Sequence, residues 1–144
     1  MFSHQTGMST DGKTITDEDT GELLYPLLSQ LQAIGLTPDY WYWGHVHLGL
    51  VYGEQSAVTK ATKGITKVRC VGHSAIPFGN PWGLSVGGKI IDYIANTPIP
   101  GTNMAMNGLA MLTLKQDGGI KEEFFDGVEA GSKAKPVAKW KRVS

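Results

Sequence analysis

Four histidines carry most of the chemistry open to this 144-residue chain: His4, His45, His47 and His73. Imidazole is a common ligand for divalent first-row metals and changes charge near neutral pH. His45 and His47 stand two residues apart, just after Gly44. In extended backbone, residues i and i+2 point to the same side, so the pair faces one space if the strand runs on. A bend at Gly44, where no side chain obstructs the backbone, aims the two rings at neighbouring metals instead. The one cysteine, Cys70, excludes an intrachain disulfide. It lies in the apolar run Val68-Arg69-Cys70-Val71 with no evident activating group, so it reads as a small buried hydrophobe rather than a nucleophile.

The elements that must position these histidines follow from the surrounding pattern. Tyr40-Trp41-Tyr42-Trp43 runs directly into Gly44-His45-Val46-His47. Four consecutive aromatic residues favour a strand, and one apolar on both alternating faces is covered on both sides. Before it, residues 20–34 predict the one clear helix. Leu23, Leu24, Leu27, Leu28, Leu31 and Ile34 form a single stripe. Asp19 or Thr20 caps its start, Pro26 belongs to its first turn, and Gly35 follows its end. His4 sits after Met1-Phe2-Ser3, which reads as the tip of a strand, and residues 5–19 read as a polar surface loop. Further strands are expected at 48–52, 65–71, 90–94, 108–114, 120–125 and 137–143, with a turn at 53–57 and an irregular stretch at 97–103. Lys115-Gln116-Asp117-Gly118-Gly119 between two apolar runs signals a hairpin. His73 falls in the glycine-bounded loop 72–79. One helix near the start followed by several strands gives an α+β class with the helix covering a sheet.

The order of these pieces carries a resemblance. A strand-tip histidine in Phe2-Ser3-His4-Gln5, then a helix, then an apolar strand ending in Gly44-His45-Val46-His47 resembles the C-terminal half of the calcineurin-like metallophosphoesterases. The stretch Arg69-Cys70-Val71-Gly72-His73-Ser74-Ala75-Ile76-Pro77 is similar to the Gly-His-Gly-Ala-Ile-Pro segment of one subgroup, and residues 108–125 resemble its terminal hairpin. The resemblance covers most of the chain, and Gly-His-x-His with its aromatic lead-in is its most specific part. It implies half of an α/β/β/α sandwich, with residues 1–144 forming a single partial domain. It also implies two divalent ions (Mn, Fe or Zn) that hydrolyse phosphate esters. Such a pair holds phosphoryl oxygens, offsets developing charge and lowers the pKa of a bridging water. By the resemblance His4 and His45 bind one metal, His47 binds the other, and His73 lines the substrate mouth. The family's earlier motifs, an Asp-x-His, a Gly-Asp followed by another Asp, and a Gly-Asn-His-Glu, are absent. Those motifs supply the bridging aspartate, the asparagine ligand and the acid histidine. The expectation is therefore a chain that contributes C-terminal ligands to a larger enzyme, needs the N-terminal half as its partner, and is nearly inactive alone. Gln5 stands where relatives often carry a second histidine.

Composition narrows the alternatives. With 41% hydrophobic and 18% charged residues, the chain has enough apolar content for a core. Thirteen basic and thirteen acidic residues cancel, which argues against a dedicated nucleic-acid binder. The acid-rich segment 11–22 and the basic segment 133–142 read as solvated surface. Trp41, Trp43, Trp82 and Trp140 read as packing residues, since no basic stripe accompanies them. No secretory leader and no apolar run of about 18 residues is present, and the expected location is cytoplasmic. A cupin-type barrel also uses His-x-His but wants a glutamate a few residues on, and Glu54 is too far along the chain. The competing class is a non-catalytic β-rich module whose histidines are incidental.

Overall fold

A computed structural model describes residues 1–15, 25–74, 83–127 and 137–144. The fold is mixed α+β and strand-rich, with two helices and two sheets among the described residues. The first sheet has the order β1-β2-β4-β3-β5, built from β1 (Phe2–Ser3), β2 (Tyr40–Trp43), β3 (Gly49–Tyr52), β4 (Lys67–Val71) and β5 (Ile91–Ile94). Strands β1, β2 and β4 are parallel, whereas β3 and β5 join antiparallel. The second sheet is the antiparallel meander β6 (Gly108–Leu114), β7 (Ile120–Asp126), β8 (Ala138–Val143). Helix α1 spans Tyr25–Ala33 and α2 spans Ala57–Ala61.

Strand β2 is buried on both faces, as its composition predicts. Trp41 and Trp43 pack edge to face at 5.3 Å and join a core with Met8, Leu28 of α1, Leu50, Val58 of α2, Val68 and Cys70. Tyr40 and Tyr42 stack on the other face at 5.9 Å, where the second sheet covers them. Register places Arg69 of β4 beside Tyr42 and Val51 beside Arg69, so these side chains also meet the second sheet. A row of edge-on ring contacts continues the seam, Tyr93–Phe124 at 5.9 Å and Phe124–Trp140 at 5.6 Å.

At the centre of that seam lies a fully buried ion pair. Arg69 Nε and a second guanidinium nitrogen donate to the two carboxylate oxygens of Glu122, each at 2.9 Å. Tyr42 adds its hydroxyl to the same carboxylate at 2.7 Å. The remaining guanidinium nitrogen donates to the carbonyls of Val68 and Tyr52, and the Trp140 ring lies 5.2 Å from the guanidinium carbon. Every strong polar group of this cluster is partnered, which is the condition under which a buried charge is tolerated. Burial and the Glu122 charge push the Tyr42 hydroxyl far above its ordinary pKa, so it stays a donor.

The elements differ from the sequence reading at identifiable points. Within α1, Leu28 is fully buried, but Ile34 is 71% exposed and lies past the helix end rather than on its buried stripe. The helix stops as Gly35 takes φ 79°. The amide of Gly35 donates to Gln32 O and that of Leu36 to Leu31 O, the paired bonds of a Schellman end. Residues 20–24 and the loop 75–79 lie outside the described residues, as does Trp82. Helix α2 was not expected, since five residues are too few to show a helical period. It follows Ser56, whose hydroxyl bonds to Thr59. The 65–71 strand begins at Lys67 instead, with Ile65 half exposed in the turn before it. The hairpin forms as read, with Gly118 at φ 84° and its amide on Lys115 O.

Candidate metal centre

Two of the four histidines meet. His4 follows β1 and His45 follows β2, and these strands are parallel neighbours with Ser3 opposite Trp43. Their carboxyl ends thus deliver both rings to one edge of the sheet. His45 Nδ1 and His4 Nε2 are 3.3 Å apart, with the rings edge to face at 5.2 Å. Ser3 fixes the chain on either side of His4. Its hydroxyl accepts the Trp41 indole N–H at 2.8 Å and donates to Gln5 O at 2.9 Å, while Gly44 N donates to Ser3 O.

The backbone bends after Trp43 rather than running on as a strand. Of the two options the sequence left open, the turn is the one formed. The left-handed residue is His45, at φ 52°. Gly44 does not take a positive φ, and a Cβ there meets only His4, at ordinary contact distance. A non-glycine residue in this region costs some strain and marks a position worth functional attention. His47 lies two residues on in the same bend, half buried.

The bend rests on β4. Cys70 Sγ lies 3.3 Å from Val46 O and 3.2 Å from Leu48 O, with Gly44 O at 3.7 Å. One weak S–H donor therefore sits under three carbonyls of the histidine turn. Burial pushes the thiol up to about 11, so Cys70 supports the turn as a protonated group and does not serve as a nucleophile. Gly72 N donates to Leu48 O at 3.1 Å, and a Cβ on Gly72 runs into Val46 O. Neither role showed in the sequence, where Cys70 read only as an apolar filler.

His73 is placed elsewhere, in the seam between the sheets. It is buried against Phe124, with ring planes 7° apart and centroids at 6.2 Å. Gly49 and Gly108 close on its ring so tightly that neither tolerates a Cβ. Its Nε2 bonds to Phe125 O at 3.3 Å and its carbonyl accepts Gly108 N. Burial lowers its pKa, with the Phe125 bond and the Asp126 charge opposing.

A metal fits the pair His4–His45 in one respect. Metal–nitrogen bonds of about 2.0–2.1 Å at a tetrahedral angle put two ligand nitrogens about 3.3 Å apart, which is the observed separation. The same distance also suits a single N–H···N bond. Among the described residues no three His, Cys, Asp or Glu side chains stand close enough to share an ion. The nearby acids do not help. Asp39 precedes β2, at the opposite end of that strand from His45, and Asp92 lies on β5, across the sheet. No family model, curated protein or solved structure matches the chain.

Proposed function

We propose that this chain supplies the C-terminal histidine ligands of a dinuclear metallophosphoesterase centre acting on phosphate esters. His4 and His45 hold one ion, His47 takes part in holding the second, and carboxylate and asparagine ligands come from residues outside this chain. The observation that carries this reading is the convergence of His4 and His45 from two parallel strand ends to a nitrogen separation of 3.3 Å, with His45 in a left-handed conformation. The metal pair, when bound, supplies a low-pKa bridging water and charge to offset that of the phosphoryl group. The chain's own part is to orient two imidazoles by the Ser3 clasp and the Cys70 seat. Strand β1 edges its sheet, with Phe2 73% exposed and stacked on Tyr42. A strand from the complementary half, added beside β1, brings further ligands to the same end. On this reading the fold is half of an α/β/β/α sandwich, the two sheets being its paired middle layers.

A second class has one observation in its favour. The two rings satisfy each other at hydrogen-bond distance, so a non-catalytic β-rich module accounts for the pair as well. A thermal melt with manganese or zinc separates the two, because a ligand that binds only the folded state raises its stability. The expected result is a modest rise at millimolar metal, absent in His45→Ala, with almost no phosphatase turnover by the chain alone. A melt indifferent to either metal favours the non-catalytic module. Rapid turnover by the purified chain refutes the need for outside ligands.

A further inference from the structure

A pocket of about 330 Å³ opens at the far end of the five-stranded sheet, walled by Glu54, Thr59, Lys67, Lys89, Asp92 and Arg142. Its size falls in the range of small-molecule sites, about 300–1,000 Å³. Lys67 opens β4, while the histidine turn sits beyond the other ends of β2 and β4. At about 3.3 Å per strand residue the two places are on the order of 10 Å or more apart, so this pocket is separate from the histidine pair.

The charges in the pocket are unevenly spent. Lys89 is tied to Glu54 at 2.6 Å. Lys67 and Arg142 have no carboxylate partner among the described residues. Lys67 is nonetheless held in place, its ammonium 4.9 Å over the Tyr40 ring and 3.4 Å from the Tyr40 hydroxyl. Tyr40 is itself anchored to Ser144 Oγ at 2.8 Å. Arg142 comes from the other sheet, in register with Glu122. One positioned point charge and one planar fork thus reach a single cavity from two sheets, a combination suited to phosphoryl oxygens. Gly53 lets the Lys89 backbone and the Asp92 carboxylate close in on the pocket wall, since a Cβ there meets both. Asp92 is exposed and lines the pocket, with no hydrogen-bond donor to its carboxylate among the described residues.

We propose that this pocket binds a small phosphorylated polyol, with the phosphoryl group on Lys67 and Arg142 and a hydroxyl on Asp92. The site is independent of the histidines and of any metal they hold.

Calorimetric or NMR titration of the chain with ribose 5-phosphate, inorganic phosphate and ribose tests this. Ribose 5-phosphate is expected to bind at one saturable site, and ribose not at all. Lys67→Met and Arg142→Gln each weaken that binding at least tenfold. Asp92→Asn weakens ribose 5-phosphate but leaves inorganic phosphate unchanged. Lys13→Gln and His45→Ala leave both unchanged. Lys67 packs on Tyr40, so the exposed Arg142 provides the variant least entangled with folding. Absence of saturable ribose 5-phosphate binding, or equal binding by wild type and Arg142→Gln, overturns the proposal. So does equal weakening by His45→Ala, which would move the ligand to the histidine end.

Discussion

At the residue scale, type alone marked the histidines, but their surroundings divided them. His4 and His45 are exposed at a sheet end and close to one another. His73 is a buried wedge. The carbonyl of Phe125 can only accept, so Nε2 carries the proton in that bond. The other ring nitrogen, Nδ1, is buried without a partner among the described residues, so the folded state disfavours a second proton on the ring. Its pKa is lowered mainly by burial, whereas an unfolded histidine titrates near about 6.5. Below that value the unfolded chain takes up a proton that the folded one resists, so stability is full above pH 6.5 and falls with pH below it. A His73→Gln variant should lose this dependence. Between pH 7.5 and 5.5 the melting temperature of wild type is expected to fall more than that of the variant. Parallel falls would mean that other groups carry the acid response. A histidine between glycine and serine gave no hint of this, because the glycines that grip it, Gly49 and Gly108, are distant in sequence.

At the element scale, the sequence located the strand end and offered a bend at Gly44 as one of two options, and the structure puts the left-handed residue one position later. Gly44 suggests a bend because it has no side chain in the way, yet it is His45 that turns left-handed. The glycine that the turn cannot lose is Gly72, on the neighbouring strand's exit, where a Cβ meets Val46 O. Gly72→Ala is therefore expected to displace the histidine turn, lowering metal-induced stabilisation and costing about 1–3 kcal/mol as an overpacking change. Gly44→Ala should leave metal response nearly intact. Melts of both variants with and without zinc check the order, and a greater loss in Gly44→Ala would contradict it. The termination of α1 was more legible. Gly35 in the sequence marked the stop, and a Schellman end formed there, because that signal is local. Helix α2 left no period to read, and its hydroxyl ladder of Ser56, Thr59, Thr62 and Thr66 looks in sequence like a polar connection.

At the scale of the whole molecule, the two sheets are joined through Arg69, Glu122, Tyr42 and a ring of aromatics. Glu122→Gln leaves the guanidinium without its counter-charge in the interior, where breaking one side of a buried pair costs about 3–5 kcal/mol. Urea unfolding should register that loss. The double change Arg69→Met with Glu122→Leu should recover most of it, since the pair's desolvation is removed along with its attraction. If the single variant is as stable as wild type, the cluster does not hold the sheets together. The sequence by itself determined the strand-rich α+β class, the doubly covered aromatic strand, the hairpin and the helix stop. The hairpin and the helix stop rest on interactions between residues close in the chain, and the class and the covered strand on apolar composition, so turn chemistry, capping and residue type expose them. The resemblance put His4 and His45 on one metal, but only the tertiary structure decided that their rings meet directly across 41 positions, that Cys70 underlies the turn, and that Arg69 finds Glu122 across 53. Such contacts depend on which strands become neighbours, and strand neighbourhood is set by the burial of the whole sheet rather than by any local pattern.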